Sequence, residues 1–160
     1  MSPETDLVAT HFSDTVVLSA SPNKESVSAL ISVVIALSLV LLKAGYYVRG
    51  AITRGQLHHA QKSLYGPALI AAYELEKNNA IYPRIILTKD MLDFLVEEKW
   101  AKVDESDNLH FLNVLHHASQ ADIAEINRLL DENTDSATGD LSIIQKLNWF
   151  RNYLERHKAR

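Results

Sequence analysis

Asp14, Arg49, Arg54 and two histidine pairs are the side chains whose type and position could do chemistry in this chain. Asp14 stands between two β-prone runs, LVATHF (Leu7–Phe12) and TVVLSA (Thr15–Ala20), with only Ser13 beside it in the gap. A tight hairpin there carries the Asp14 carboxylate to the tip of two paired strands. A metal ligand would be useful at such a tip; the plainer reading is a turn aspartate, because Asp tolerates turn backbone. Arg49 lies inside the β-prone run Tyr46–Ile52, and Arg54 follows five residues later, so the two point to opposite faces of a regular strand. A guanidinium in that setting either pairs with a carboxylate such as Asp14 or meets a phosphate or base edge, by the same bidentate geometry.

The pairs His58-His59 and His116-His117 invite a metal reading. Adjacent side chains face apart on a strand or helix, and the spacing of a zinc-binding helix is missing, so they read as surface histidines. With no cysteine in the chain, only oxygen and imidazole chemistry remains. No nucleophile elbow, Walker loop or G-x-G-x-x-G is present; Gly50 with Gly55 lacks the third glycine.

The elements that must position these groups follow from periodicity. The hairpin is stopped by Ser21-Pro22-Asn23, where Ser21, Asn23 or Ser26 can cap an apolar helix that runs from Ser26 to Ala44. Gly45 ends that helix, since glycine takes the left-handed conformation without steric cost. The stretch Gly45–Leu87 then reads as a strand (Tyr46–Ile52), a helix with Ala68, Ala72 and Leu75 on one stripe behind Gly66-Pro67, and a buried strand (Arg84–Leu87). A sheet with a crossover helix is implied. Beyond it, Thr88–Ala101 is weakly helical, with Leu92, Phe94, Leu95 and Trp100 on one period and Thr88 or Asp90 as caps. Val103–Val114 holds a polar turn at Glu105–Asn108 between β-prone pieces, and Ala121–Leu130 and Leu141–His157 are amphipathic helices joined by an Asp131–Asp140 loop. The fold class is therefore α+β.

At 160 residues the chain fits one domain whose core needs no disulfide or metal. Its net charge of -4 with scattered basic residues leaves no footprint for nucleic acid. The start, MSPETDLVATHFSD, is acidic and lacks a long apolar run, so a cytoplasmic location is expected. The uncharged stretch Val27–Leu42 spans about 24 Å as a helix, short of a 30 Å bilayer core, so a membrane partner is not expected. Its eleven Val, Ile and Leu residues instead predict a helix buried on most sides, against a sheet or a partner chain.

In order along the chain, FSDTVVLSA, VRGAITRG and GPALIAAYELE resemble the hairpin, the R-x-G-I-x-x-G strand and the following helix of class III nucleotidyl cyclase domains. More narrowly, RGAITRGQLHH, GPALIAAYELE, YPRIIL and KLNWFRNYLERH are similar to bacterial pyrimidine cyclases of the Pycsar anti-phage systems, over roughly Leu7–His157. The resemblance implies an incomplete ferredoxin-like cyclase sheet covered by helices over residues 1–115, with a helical extension at 116–160 packed on the same domain. It implies UTP or CTP as substrate, a 3',5'-cyclic monophosphate and pyrophosphate as products, and Mn2+ or Mg2+ as cofactor. Asp14 would be a metal ligand and Arg49 a nucleotide-binding residue. A homodimer, or a heterodimer with a longer cyclase chain, would be the working form.

The chain also departs from the pattern. Ala51 replaces a glycine of the strand motif, and the motif carrying the family's first metal aspartate has no counterpart before the hairpin. The family's transition-state Asn and Arg fall on Ile70 and Glu74, and its adenine-selecting lysine on Thr10, which disfavours an ATP-specific enzyme. The alternative is a catalytically inactive cyclase-fold module for dimerisation or nucleotide sensing.

Overall fold

The computed structural model describes residues 6–98, 103–137 and 139–159. The chain begins with the expected hairpin: β1 (Val8–Phe12) and β2 (Thr15–Ser19) are antiparallel, with Val8 opposite Ser19 and Phe12 opposite Thr15. Ser13 takes a left-handed backbone (φ 54°) to close the turn beside Asp14.

Helix α1 (Lys24–Leu42) starts where the Asn23 side chain accepts a hydrogen bond from the Ser26 backbone N–H at 2.9 Å. It ends in a Schellman turn. The Tyr46 N–H donates to the Leu41 carbonyl and the Gly45 N–H to the Leu42 carbonyl, with Gly45 at φ 81°. One face of α1, including Val27, Ile31, Ile35 and Leu42, is buried, while Val33, Leu37 and Val40 are exposed. Within the chain only one face is buried, and no described element covers the second. The helix also proves longer than the uncharged stretch alone. Its 19 residues reach about 28 Å, the length and apolarity of a membrane span, but a third of its most apolar window packs inside the protein.

Strand β3 (Gly50–Ile52) is shorter than the expected run from Tyr46. Its parallel partner β6 (Ile85–Leu87) follows Pro83, which has no N–H to extend the ladder backwards. Between them come a small hairpin, β4 (His58–Ala60) and β5 (Ser63–Tyr65), and the crossover helix α2 (Pro67–Asn79). That hairpin has no Gly or Asn at its turn to announce it in the sequence. In α2 the expected stripe of Ala68, Ala72 and Leu75 is half-buried.

Helix α3 (Lys89–Glu98) buries Met91 and Leu95. Thr88, a predicted cap, instead sends both its N–H and its hydroxyl to the Ile52 carbonyl. Trp100, placed on the same helical period, lies outside the described residues. Strands β7 (Val103–Ser106) and β8 (Leu109–Leu112) form a hairpin whose turn, Asp107-Asn108, has both residues left-handed (φ 56° and 59°). That is the type I' geometry a two-residue hairpin favours. The sheet order is β3-β6-β8-β7, with Ile86 opposite Phe111.

A 3-10 turn (Val114–His117) leads to α4 (Gln120–Ser136) and α5 (Leu141–Lys158). Ser119 and Asp122 form a capping box at α4, and Asp140 caps α5. Helix α4 runs on through residues expected to be loop, because the Thr134 and Ser136 hydroxyls donate to carbonyls one turn back rather than competing for turn geometry. A single core joins α1, β6, α3, β8, α4 and α5 around Ile31, Leu95, Phe111, Leu130, Phe150 and Leu154.

The molecule is therefore mixed α+β, and its described residues form a four-stranded sheet and two separate two-stranded ribbons.

Candidate functional site

A broad open cleft of about 2110 Å³ lies between the β1-β2 ribbon, α1, β3 and α2. Both Asp14 and Arg49 line it. They reach it for different local reasons: the two-residue turn leaves Asp14 exposed at the ribbon tip, whereas Arg49 leaves the chain just before β3 joins its ladder.

Arg49 is not partnered by Asp14. Its Nε sits 2.6 Å from Glu76 Oε1 on α2, and its Nη1 donates over 3.5 Å to the Ala80 carbonyl at the end of the same helix. About half of the Arg49 side chain remains open to solvent. Exposed ion pairs of this kind contribute about 1 kcal/mol or less, so a stronger anion could take the guanidinium. Arg54, exposed, also lines the cleft.

Ile70 and Glu74 stand one helical turn apart on α2 and line the cleft; Ile70 is 60% exposed. Exposing so much apolar surface costs free energy that a ligand or partner would recover. Thr10 is engaged elsewhere: its Oγ1 is 2.8 Å from His59 Nε2, and His59 Nδ1 is 2.7 Å from Ser19 Oγ. The half-buried His59 ring thus ties the β4-β5 ribbon to the β1-β2 ribbon, which corrects its reading as a surface residue. His58 is exposed, stacked on Tyr65 at 4.7 Å and bonded to Ser63, and His116 and His117 are exposed.

Two groups at the cleft have displaced acidities. Hydrogen bonds from Ser21 and Ser26 hold the Asp6 carboxyl below its usual value, and burial pushes the Tyr47 phenol up.

Among the described residues, no three His, Asp or Glu side chains are placed to hold a metal ion. Asp6, Asp14, Glu74 and Glu76 all line the cleft but are not gathered into such a group, and a two-metal site needs shared carboxylates. The described residues alone therefore do not fit the expected Mn2+ or Mg2+ pair.

Sequence reasoning missed Glu76, whose role depends on α2 folding back along β3 and has no signature in spacing. It also missed Arg84, although an arginine between Pro83 and three apolar residues was a signal. Arg84 is 4% exposed, donates to the Ser106 carbonyl and to Asp107, and lies over the rings of Tyr82, Phe111 and Trp149 at 5.4 to 5.9 Å. It is a structural clasp behind the sheet, outside the cleft lining. Comparison with family models, with curated proteins and with solved structures returns no match for this chain.

Proposed function

We propose that this chain is a pyrimidine nucleotide cyclase-like subunit that binds UTP or CTP in the cleft, with its catalytic site completed by another chain. The observation that carries the reading is that Asp14 and Arg49, far apart in sequence, both line one cleft beside the parallel β3-α2-β6 unit. That unit and the antiparallel strand β8 beside it are compatible with an incomplete ferredoxin-like cyclase sheet. In the assembled enzyme the ribose 3'-hydroxyl would displace pyrophosphate from the α-phosphate, forming the cyclic monophosphate as an anti-phage signal in the cytoplasm. Asp14 would supply one carboxylate if a metal were bound there, the remaining ligands being contributed by a longer homologous chain. Arg49 turns from Glu76 to the triphosphate or base.

Pyrophosphate release is the direct test, with manganese and each nucleoside triphosphate in turn, for the protein alone and mixed with a longer homologue. Turnover with UTP or CTP in the mixture, lost in Asp14→Ala, is the expected result. No release under any condition would sink the reading. Glu76→Gln, which loosens the grip on Arg49, should tighten triphosphate binding several-fold, as read by calorimetry.

A second reading, a non-catalytic dimerisation or nucleotide-sensing module, is favoured by the Arg49–Glu76 pair and by Ile70 and Glu74 on the cleft wall. Triphosphate binding without turnover, unaffected by Asp14→Ala, would select it.

A further inference from the structure

A second, much smaller cavity of about 20 Å³ lies where residues of α1, β8 and α5 meet the start of β6. Ser38, Leu42, Arg84, Phe111, Phe150 and Tyr153 border it, and all six are buried. A water molecule needs at least about 10 to 15 Å³ of such space and two to four polar partners. The cavity therefore has room for one.

Arg84 brings a donor to it. Its Nη1 is committed to the β7-β8 turn, 3.0 Å from the Ser106 carbonyl and 3.1 Å from Asp107 Oδ2, but its Nε has no hydrogen-bond partner among the described residues. The guanidinium carbon lies 5.9 Å from the centre of the Phe111 ring, and that ring lies 5.4 Å from the ring of Tyr153, so donor and rings are neighbours around the one space. A donor withheld from water costs free energy, and most buried donors meet a protein group or an ordered water. The walls offer the complement. Ser38 Oγ donates to the Val34 carbonyl at 2.7 Å, and the Tyr153 hydroxyl donates to Asn113 Oδ1 at 2.6 Å. A hydroxyl that has given its one proton away still accepts through its lone pairs.

We infer that this cavity is a binding site for a single structural water. The water oxygen accepts from Arg84 Nε–H, and its two O–H groups donate to Ser38 Oγ and Tyr153 Oη. One donor and two acceptors satisfy one water completely, and the three bonds tie α1 and α5 to the residue that opens β6. A small anion is the poorer occupant. The Arg84 charge already faces Asp107, and both hydroxyls would have to abandon the acceptors they now hold in order to donate to an anion. The site is independent of any nucleotide or catalytic role of the cleft, and it would survive the loss of that reading.

The first test is a crystal structure of the full chain at a resolution that shows ordered water. One peak within about 3.2 Å of Arg84 Nε, Ser38 Oγ and Tyr153 Oη together is expected. The absence of a peak, or an Nε bonded directly to a protein group, overturns the inference. A bromide soak separates water from anion, and an anomalous signal at that position would overturn it as well. In solution, NMR of the labelled chain should show a nuclear Overhauser effect between Arg84 Nε–H and water, with the sign that marks a long-lived water; a protected Nε–H without that effect counts against the site. Arg84→Met keeps the apolar stem and removes the donor, so the peak should be lost in its structure. A peak that persists in Arg84→Met would show that Nε does not hold the water, and the assignment would fall.

Discussion

Single residues here show how far a local partner sets a side chain's behaviour. Asp122 is held down to about 2 by hydrogen bonds from Lys43 and Ser119, the former a 2.5 Å contact from the end of α1 to the start of α4. A carboxyl depressed in the folded state contributes stability that is complete above its unfolded value, near 4, and disappears as the pH falls towards 2. Asp122→Asn should therefore lower the urea midpoint at pH 6, and the difference from the natural chain should shrink steadily as the pH falls from 4 through 2. A constant difference across that range would mean that capping geometry, not charge, is what Asp122 supplies. Arg84 poses the converse case. Its Nε has no hydrogen-bond partner among the described residues although the side chain is almost fully buried, and its Asp107 partner is half exposed. Arg84→Ala should cost about 3 kcal/mol through the lost packing against Tyr82, Phe111 and Trp149. Arg84→Met, which refills the space without an unpaired donor, should stay within about 1 kcal/mol of the natural chain in urea unfolding followed by circular dichroism.

Elements depend on the few backbone positions where the chain must bend. Gly66 opens α2 at φ 145°, and a Cβ there would sit 2.7 Å from the Gln56 carbonyl oxygen. Gly139 also has a positive φ, 96°, but an added Cβ meets nothing within 4 Å. Gly66→Ala should therefore destabilise by about 2 kcal/mol or more, and Gly139→Ala by clearly less, since backbone strain alone costs about 1 to 3 kcal/mol. Equal losses in thermal unfolding would refute the clash. Most elements were legible in the sequence at this scale: Ser13-Asp14 marked a hairpin turn, Gly45 a helix end and Gly66-Pro67 a helix start, while the polar Glu105–Asn108 stretch marked a turn whose first two residues belong to β7. The β4-β5 ribbon was not, because its turn, Gln61-Lys62, carries no residue that favours left-handed backbone. Nor was the length of α4, where polar residues that commonly break helices bond to their own helix instead.

At the scale of the whole molecule, α1 decides how the protein meets its surroundings. Ile31 is 1% exposed and Val40 64% exposed on the same helix. If α1 belongs to the core, Ile31→Ala should cost 2 to 5 kcal/mol and Val40→Ala within about 0.5 kcal/mol, measured in detergent-free buffer. A chain recovered only with detergent would refute that placement. The sequence by itself determined the α+β class, the hairpin with Asp14 at its tip, the long apolar helix and the strand-helix-strand unit, since periodicity and turn chemistry are local properties. It also carried the resemblance that supplied Asp14 and Arg49 as candidates. Only the tertiary structure decided that these two share a cleft, that Arg49 pairs with Glu76 rather than Asp14, and that His59 joins two ribbons. Each of those facts depends on segments tens of residues apart being brought together by burial of one core, and no spacing in a single sequence encodes that meeting.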